Sequence, residues 1–289
     1  MELYRPKQLN AFSKSLFNQI GECINKAAVD PDVRVVIISG QGKHFTAGLD
    51  LKEATSDTGM ASPLSQEKAK DPGRKMIISR PGVLNMQEQI TALDKCNKPI
   101  ICVLHGHSIG AGIDLTSAGD IRICSADAKF TIKEVDVGLA PDVGTLQRFP
   151  KVVGNQSWAK QMIYTAKVFS AEEAFQNGFV SEVLPTKEEA FNKAVALGKE
   201  IASKSPIAVQ GSKHLLDYSR DHSIQDGKFI VYIENNGIHT NFSRSKLYCH
   251  MGGSSTTVSR SKRCHESILY KESTSFFKTL SSFQINKKI

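Results

Sequence analysis

Three acids, Glu134, Asp136 and Asp142, fall within Lys133-Glu134-Val135-Asp136-Val137-Gly138-Leu139-Ala140-Pro141-Asp142-Val143-Gly144-Thr145, a stretch otherwise mostly of apolar and small residues. Apolar surroundings raise carboxyl pKa values and suit such groups to proton transfer. Each acid alone reads as well as a turn former, a cap or a surface partner, so proton transfer is one of two open readings. A second segment, Gly110-Ala111-Gly112-Ile113-Asp114, opens a helix behind an apolar run, which leaves the first helical N–H groups free to face an anion or a carbonyl oxygen. No Gly-Lys-Ser/Thr follows and the GxGxxG spacing is absent, so it is neither a P-loop nor a dinucleotide fingerprint. Asp114 falls in the first helical turn, where the helix dipole alone would favour a carboxylate. In the third segment, Phe45-Thr46-Ala47-Gly48-Leu49-Asp50-Leu51, a small-residue turn leads into a helix that Asp50 can cap. It reads either as a second set of free N–H groups or as a plain capped loop.

These segments need elements to hold them. Phe12, Leu16, Ile20, Cys23, Ile24 and Ala27 recur at three- and four-residue spacing, which predicts a helix over 10–30. The run Val33-Arg34-Val35-Val36-Ile37-Ile38-Ser39, between a Pro–Asp turn and Gly40, predicts a buried strand. Pro99-Ile100-Ile101-Cys102-Val103-Leu104 predicts another, leading through the Gly110 segment into a helix over 113–118. Further strands are expected at 120–124, 129–132 and 180–184, and helices at 87–95, 155–164, 171–177, 187–203 and 207–220. Gly178 closes one of these helices and Pro206 separates the last two. The polar stretch 55–80 reads as a loop with helical pieces. Strands alternating with helices imply an α/β fold with parallel crossovers.

Composition narrows the classes. With 40% apolar residues and 37 Lys+Arg against 29 Asp+Glu, the chain as a whole is not of a disordered type. Its 289 residues leave room for one large domain or two small ones. The longest apolar runs are strand-sized, short of the ~18–20 residues of a membrane span, and no secretory signal is visible at the start. Six cysteines lie far apart with no CxxC pair, which points to reduced, packed thiols rather than a disulfide frame or a zinc site. Nine of the Lys/Arg but only two of the acids fall in 241–289, so nearly all of the net charge of +8 belongs to that segment. It holds eleven serines and lacks aromatic interleaving or a basic helical face. Solvation or disorder is therefore expected of it rather than nucleic-acid binding.

Taken together, the three segments resemble the enoyl-CoA hydratase/isomerase (crotonase) superfamily. Leu3-Tyr4-Arg5-Pro6 with Asn10-Ala11 is similar to the family's first-strand exit. Phe45–Asp50 and His105-Gly106 through Gly110-Ala111-Gly112-Ile113-Asp114-Leu115 are similar to its two oxyanion-hole segments, and Asp120-Ile121-Arg122 to a structural strand. The stretch from Lys133 to Arg148, continued by Lys151-Val152-Val153-Gly154-Asn155-Gln156-Ser157, resembles the branch that converts 3,5-dienoyl-CoA to 2,4-dienoyl-CoA; hydratases of the fold tend to carry Glu at the position of Asp114 and a small residue at that of Asp142. The resemblance implies a spiral of ββα units with a C-terminal helical region that is atypical here, over a domain of 1–226 whose first strand is truncated, followed by a divergent basic tail, 227–289. It implies an isomerase of unsaturated fatty acid β-oxidation. The N–H groups of Ala47 and Ala111 would hold the thioester oxygen, and Ala47, Gly48, Leu49, Asp50, Leu51 and Ala111 would line the substrate. Glu134 would serve C2 and Asp142 C6, with Asp114 buried beside them. Ala111 stands where the family usually has Gly. No metal or redox cofactor is implied, coenzyme A entering as part of the acyl-CoA substrate. The family's homotrimer or hexamer and its mitochondrial or peroxisomal location are implied too, although no targeting signal is legible in the chain. Two other readings compete: an enoyl-CoA hydratase or Δ3-Δ2-enoyl-CoA isomerase, in which Asp142 would have no role, and a non-catalytic isoform with an aberrant C-terminus.

Overall fold

A computed structural model describes residues 1–56 and 71–228. The elements are β1 (Glu2–Leu3), α1 (Lys14–Val29), β2 (Val36–Gly40), α2 (Leu51–Ala54), α3 (Pro72–Lys95), β3 (Ile100–Leu104), β4 (His107–Ile109), α4 (Ala111–Ser117), β5 (Ile121–Ser125) and β6 (Lys129–Thr131). After a 3-10 turn at Glu134–Val137 come α5 (Thr145–Val152), α6 (Gln156–Thr165), β7 (Phe169–Ser170), α7 (Ala171–Gln176), β8 (Glu182–Leu184), α8 (Lys187–Ala202) and α9 (Pro206–Ser219). One compact unit runs over Met1–His214, and a second begins at Leu215. In the described part of the second, the Tyr218 ring stacks on His222 at 3.7 Å.

The first unit holds two sheets. Five parallel strands lie in the order β1-β2-β3-β5-β8, and three shorter ones in the order β4-β6-β7. The β-branched runs read from the sequence become β2 and β3, both buried at every position, as strands covered on two faces require. One face of the large sheet packs Ile37, Ile101, Val103 and Ile123 against Ala190 and Ala194 of α8, where small helix residues let the backbone approach the sheet. Phe130, Phe149, Phe169 and Phe179 form a second, aromatic cluster closed by Trp158, with ring centroids 5.0 to 6.1 Å apart. Arg122, expected on a structural strand, is buried and donates to the carbonyls of Phe179, Thr116 and Gly119. It ties β5 to the end of α4 and to the turn before β8.

Several boundaries differ from expectation for local reasons. The first helix starts at Lys14, not at residue 10, because the Ser13 hydroxyl caps it by accepting from Leu16 N–H at 3.0 Å. Residues Leu9 and Asn10, at φ +51° and +53°, belong to the turn before it. The helix expected at 87–95 begins fifteen residues earlier, at Pro72, with Asp71 as its cap. Pro81 and Gly82 lie inside it, which is why the sequence reads there as a loop. α5 was not expected at all, since Gly144 precedes it and Pro150 interrupts it. β4 and β7 are too short to read from a pattern of alternation. Cys96, Cys102 and Cys124 are buried free thiols and Cys23 is partly buried; burial pushes Cys102 and Cys124 up to about 12, so both are inert packing groups at neutral pH. Positions 57–70 and the basic tail from 229 onward, with Cys249 and Cys264, lie outside the described residues.

Candidate active site

Two loops are laced together by a single parallel bridge, Thr46 with Ser108. Thr46 N–H donates to His107 at 3.0 Å and Ile109 N–H to Thr46 at 3.3 Å. Beyond the bridge each loop turns at a glycine of positive φ, Gly48 at +85° and Gly110 at +51°. Gly48 lies so close to the other loop that a Cβ on it would meet the Ile109 carbonyl oxygen at 2.8 Å. A Cβ on Gly112 would meet the Thr46 side chain at 2.5 Å. Glycine is required at both places by contact, and at Gly48 by φ as well.

Three residues past Thr46 stands Leu49, and three past Ser108 stands Ala111. Leu49 N–H and Ala111 N–H find no acceptor among the described residues. Ala111 is the first residue of α4, where a free N–H is inherent, and its φ is not positive, so the methyl group is tolerated there. The expectation for Ala47 needs correction. Its N–H donates to the Leu9 carbonyl at 3.0 Å and is not available to a ligand. The available donor of this loop is Leu49, because Phe12 pairs with the loop through Gly48 carbonyl and Asp50 N–H and leaves the intervening amide facing away. Asp50 caps α2 through Glu53 N–H, as the sequence predicts, and its carboxylate also accepts from Arg5 at 3.2 Å, so the side chain is committed to the loop. Leu51 is an exposed residue at the start of α2.

Asp114, Glu134 and Asp142, the acids to which the resemblance gives roles, converge on this place. Asp114 is 1% exposed, and its Oδ1 accepts from both Thr145 N–H (2.6 Å) and Thr145 hydroxyl (2.7 Å). Burial pushes its carboxyl up to about 7; the Glu134 and Asp142 charges push the same way, while the Thr145 hydrogen bonds oppose. Glu134 sits against the second loop, since a Cβ on Gly110 would lie 3.1 Å from Glu134 Oε1. Its Oε2 is buried and has no partner among the described residues. Burial raises the Glu134 carboxyl above its usual range, with Asp142 adding to the rise. Asp142 is exposed at the outer edge, its carboxyl also raised by partial desolvation. Asp136 takes no part: it pairs with Lys133 on the surface. The Glu134 and Asp142 charges raise Asp114, and the Asp142 charge raises Glu134, so the cluster resists full ionisation, as suits acid/base chemistry.

Sequence reasoning missed the struts behind these groups. The Gln87 side chain donates to the Asp142 carbonyl at 2.5 Å, fixing that segment to α3. Arg148 of α5 reaches α3 too, donating to Asp94 at 2.8 Å and to Thr91 at 3.0 Å. Its guanidinium lies over Gly144, where a Cβ would come within 1.8 Å of Nη1. Only the long α3 helix, hidden behind Pro81, could have announced these contacts. Among the described residues no group of three His, Cys, Asp or Glu is placed to hold a metal ion, and no helix is long and apolar enough to cross a membrane.

The raised carboxyl of Asp114 has a consequence for stability. The unfolded chain releases this proton near the ordinary value of 3.8, the folded chain near 7. Between those limits the folded state binds more protons, so stability falls as the pH rises from about 4 to about 7. Asp114→Asn is expected to flatten that decline, as read by urea unfolding at stepped pH. An unchanged slope would contradict the assignment.

Comparison with known proteins gives three results. The family model for enoyl-CoA hydratase/isomerase matches residues 1–228. The human mitochondrial Delta(3,5)-Delta(2,4)-dienoyl-CoA isomerase is 48% identical over 226 residues, 78% of this chain and 67% of the relative. The peroxisomal enzyme of that name from Arabidopsis thaliana is 42% identical over 223 residues, 77% of this chain and 78% of the relative. Among solved structures, an enoyl-CoA hydratase from Bacillus anthracis superposes with a TM-score of 0.70 at 27% identity, covering 83% of this chain and 86% of the other.

Proposed function

Because this chain belongs to the enoyl-CoA hydratase/isomerase family, we propose that it isomerises 3,5-dienoyl-CoA to 2,4-dienoyl-CoA in the mitochondrial or peroxisomal breakdown of unsaturated fatty acids. The single observation that carries the reading is the Glu134 carboxyl, whose Oε1 lies beside Gly110, one residue from the free N–H of Ala111, and whose buried Oε2 has no partner among the described residues. A base is thereby set next to a carbonyl-binding donor, which suits removal of the proton α to a thioester.

The amides of Leu49 and Ala111 bind the thioester oxygen. As Glu134 takes a proton from C2, negative charge spreads along the conjugated chain and onto that oxygen, where fixed donors stabilise it without reorganising. Asp142, the exposed member of the pair, gives its proton to C6. The C3=C4 and C5=C6 double bonds become C2=C3 and C4=C5, and no atom is gained or lost by the substrate. Glu134 ends holding the proton from C2 and Asp142 ends ionised, having given its own to C6, and exchange with water or between the acids restores the pair. The raised carboxyls of both residues match this use, since one must hold a proton and the other accept one near neutral pH. Nothing in the sequence of steps calls for a cofactor, coenzyme A being part of the substrate.

The test is turnover of 3,5-dienoyl-CoA by the purified full chain, followed by the absorbance of the conjugated product, with light scattering reading its assembly against the family's trimer or hexamer. Asp142→Asn is expected to lower the rate by about 10²-fold. Water addition instead of isomerisation, or a full rate in Asp142→Asn, would overturn the reading in favour of a hydratase or a Δ3-Δ2-enoyl isomerase. An absence of any turnover would favour a non-catalytic chain.

A further inference from the structure

We propose that Thr145 is a positioning residue of the acid cluster, giving its N–H and its hydroxyl to one oxygen of Asp114 so that this side chain is fixed in orientation and favoured as the anion beside Glu134 and Asp142. The inference rests on the isomerase reading above for its meaning, but not for its geometry. Asp114 lies on α4 and Thr145 opens α5, and the two bonds of 2.6 and 2.7 Å join them across thirty-one residues of sequence. Thr145 is fully buried, and Gly144, at φ +135°, turns the chain just before it.

Among the described residues, Thr145 supplies both hydrogen bonds to the Asp114 carboxylate. Glu134, from the 3-10 turn, and Asp142, from the segment before α5, both carry like charge. Of the two cations on α5, Arg148 is given to Asp94 of α3 and Lys151 is exposed in the last turn. From β4 the titratable group is His107, whose ring packs edge-on against His44. Two donors from one residue therefore work against burial and two neighbouring acids. A charged Asp114 in turn discourages both neighbours from ionising together, which keeps a proton on the catalytic pair. Thr145 touches neither the Leu49 and Ala111 amides nor, through them, the thioester, so its effect passes through Asp114.

Thr145→Val keeps the shape and the backbone donor and removes the hydroxyl. A hydrogen bond to a charged group corresponds to about one to two pH units of titration. The infrared band of the protonated Asp114 carboxyl, assigned by its loss in Asp114→Asn, is therefore expected to persist about one to two pH units higher in Thr145→Val than in the parent. The acid limb of the kcat profile should move in the same direction, KM should hold, and Thr145→Ser should restore both. If Thr145→Val alters only thermal stability, leaving the band and the limb in place, Thr145 is a packing residue and the proposal fails. If the parent gives no dienoyl-CoA turnover, the isomerase reading fails, and the infrared titration still decides the role of Thr145.

Discussion

Glu134→Gln is expected to lower kcat for dienoyl-CoA isomerisation by about 10³-fold or more, within the range that a positioned general base contributes. The substitution keeps size and shape, so the contact with Gly110 survives and the fold should be unaffected. What is lost is the capacity to take a proton. The amide also places a donor or acceptor where the buried Oε2 has no partner among the described residues, a place for substrate or water to meet. In the proposed mechanism main-chain amides, not Glu134, hold the thioester, so KM should change little. Steady-state rates over a range of substrate concentrations, beside a thermal melt, separate the two effects. A variant within about threefold of the parent in kcat would remove Glu134 from the chemistry and with it the assignment of C2.

Ala111→Pro is expected to cost about 10²- to 10³-fold in kcat, the usual consequence of losing one oxyanion donor. A backbone donor is hard to delete, but this one stands at the first position of α4, where proline fits a helix and where no hydrogen bond within the helix is lost. The residue before it is Gly110, which has no Cβ to clash with the incoming ring. Circular dichroism and the melting temperature should therefore stay close to the parent while the rate falls. Ala111→Gly is the matched control, since it retains the N–H. If proline at this position left the rate intact, the thioester oxygen would have to lie elsewhere.

How far the sequence could be read depended on whether the cause was local. Strands β2 and β3 announce themselves by β-branched runs, and α1 by its apolar spacing, because burial on two faces or on one stripe leaves a periodic trace. The roles of Asp114, Glu134 and Asp142 came from a resemblance; their spacing alone left turn, cap and surface readings open. The choice between Ala47 and Leu49 was not legible at all. It depends on the φ of Gly48 and on the Leu9 carbonyl, supplied by a turn nearly forty residues upstream. Thr145 was hidden for a similar reason, its partner lying on another helix. α5 carries breaking residues at Gly144 and Pro150, and the Arg148 contacts depend on its being a helix nonetheless.

The bridge between Thr46 and Ser108 sets both amides by counting along the main chain, three steps on each side. Polarisation of the carbonyl is thus independent of which side chains stand at positions 49 and 111. Substitutions there other than proline leave both N–H donors in place, whereas inserting or deleting one residue in either loop throws the two amides out of step.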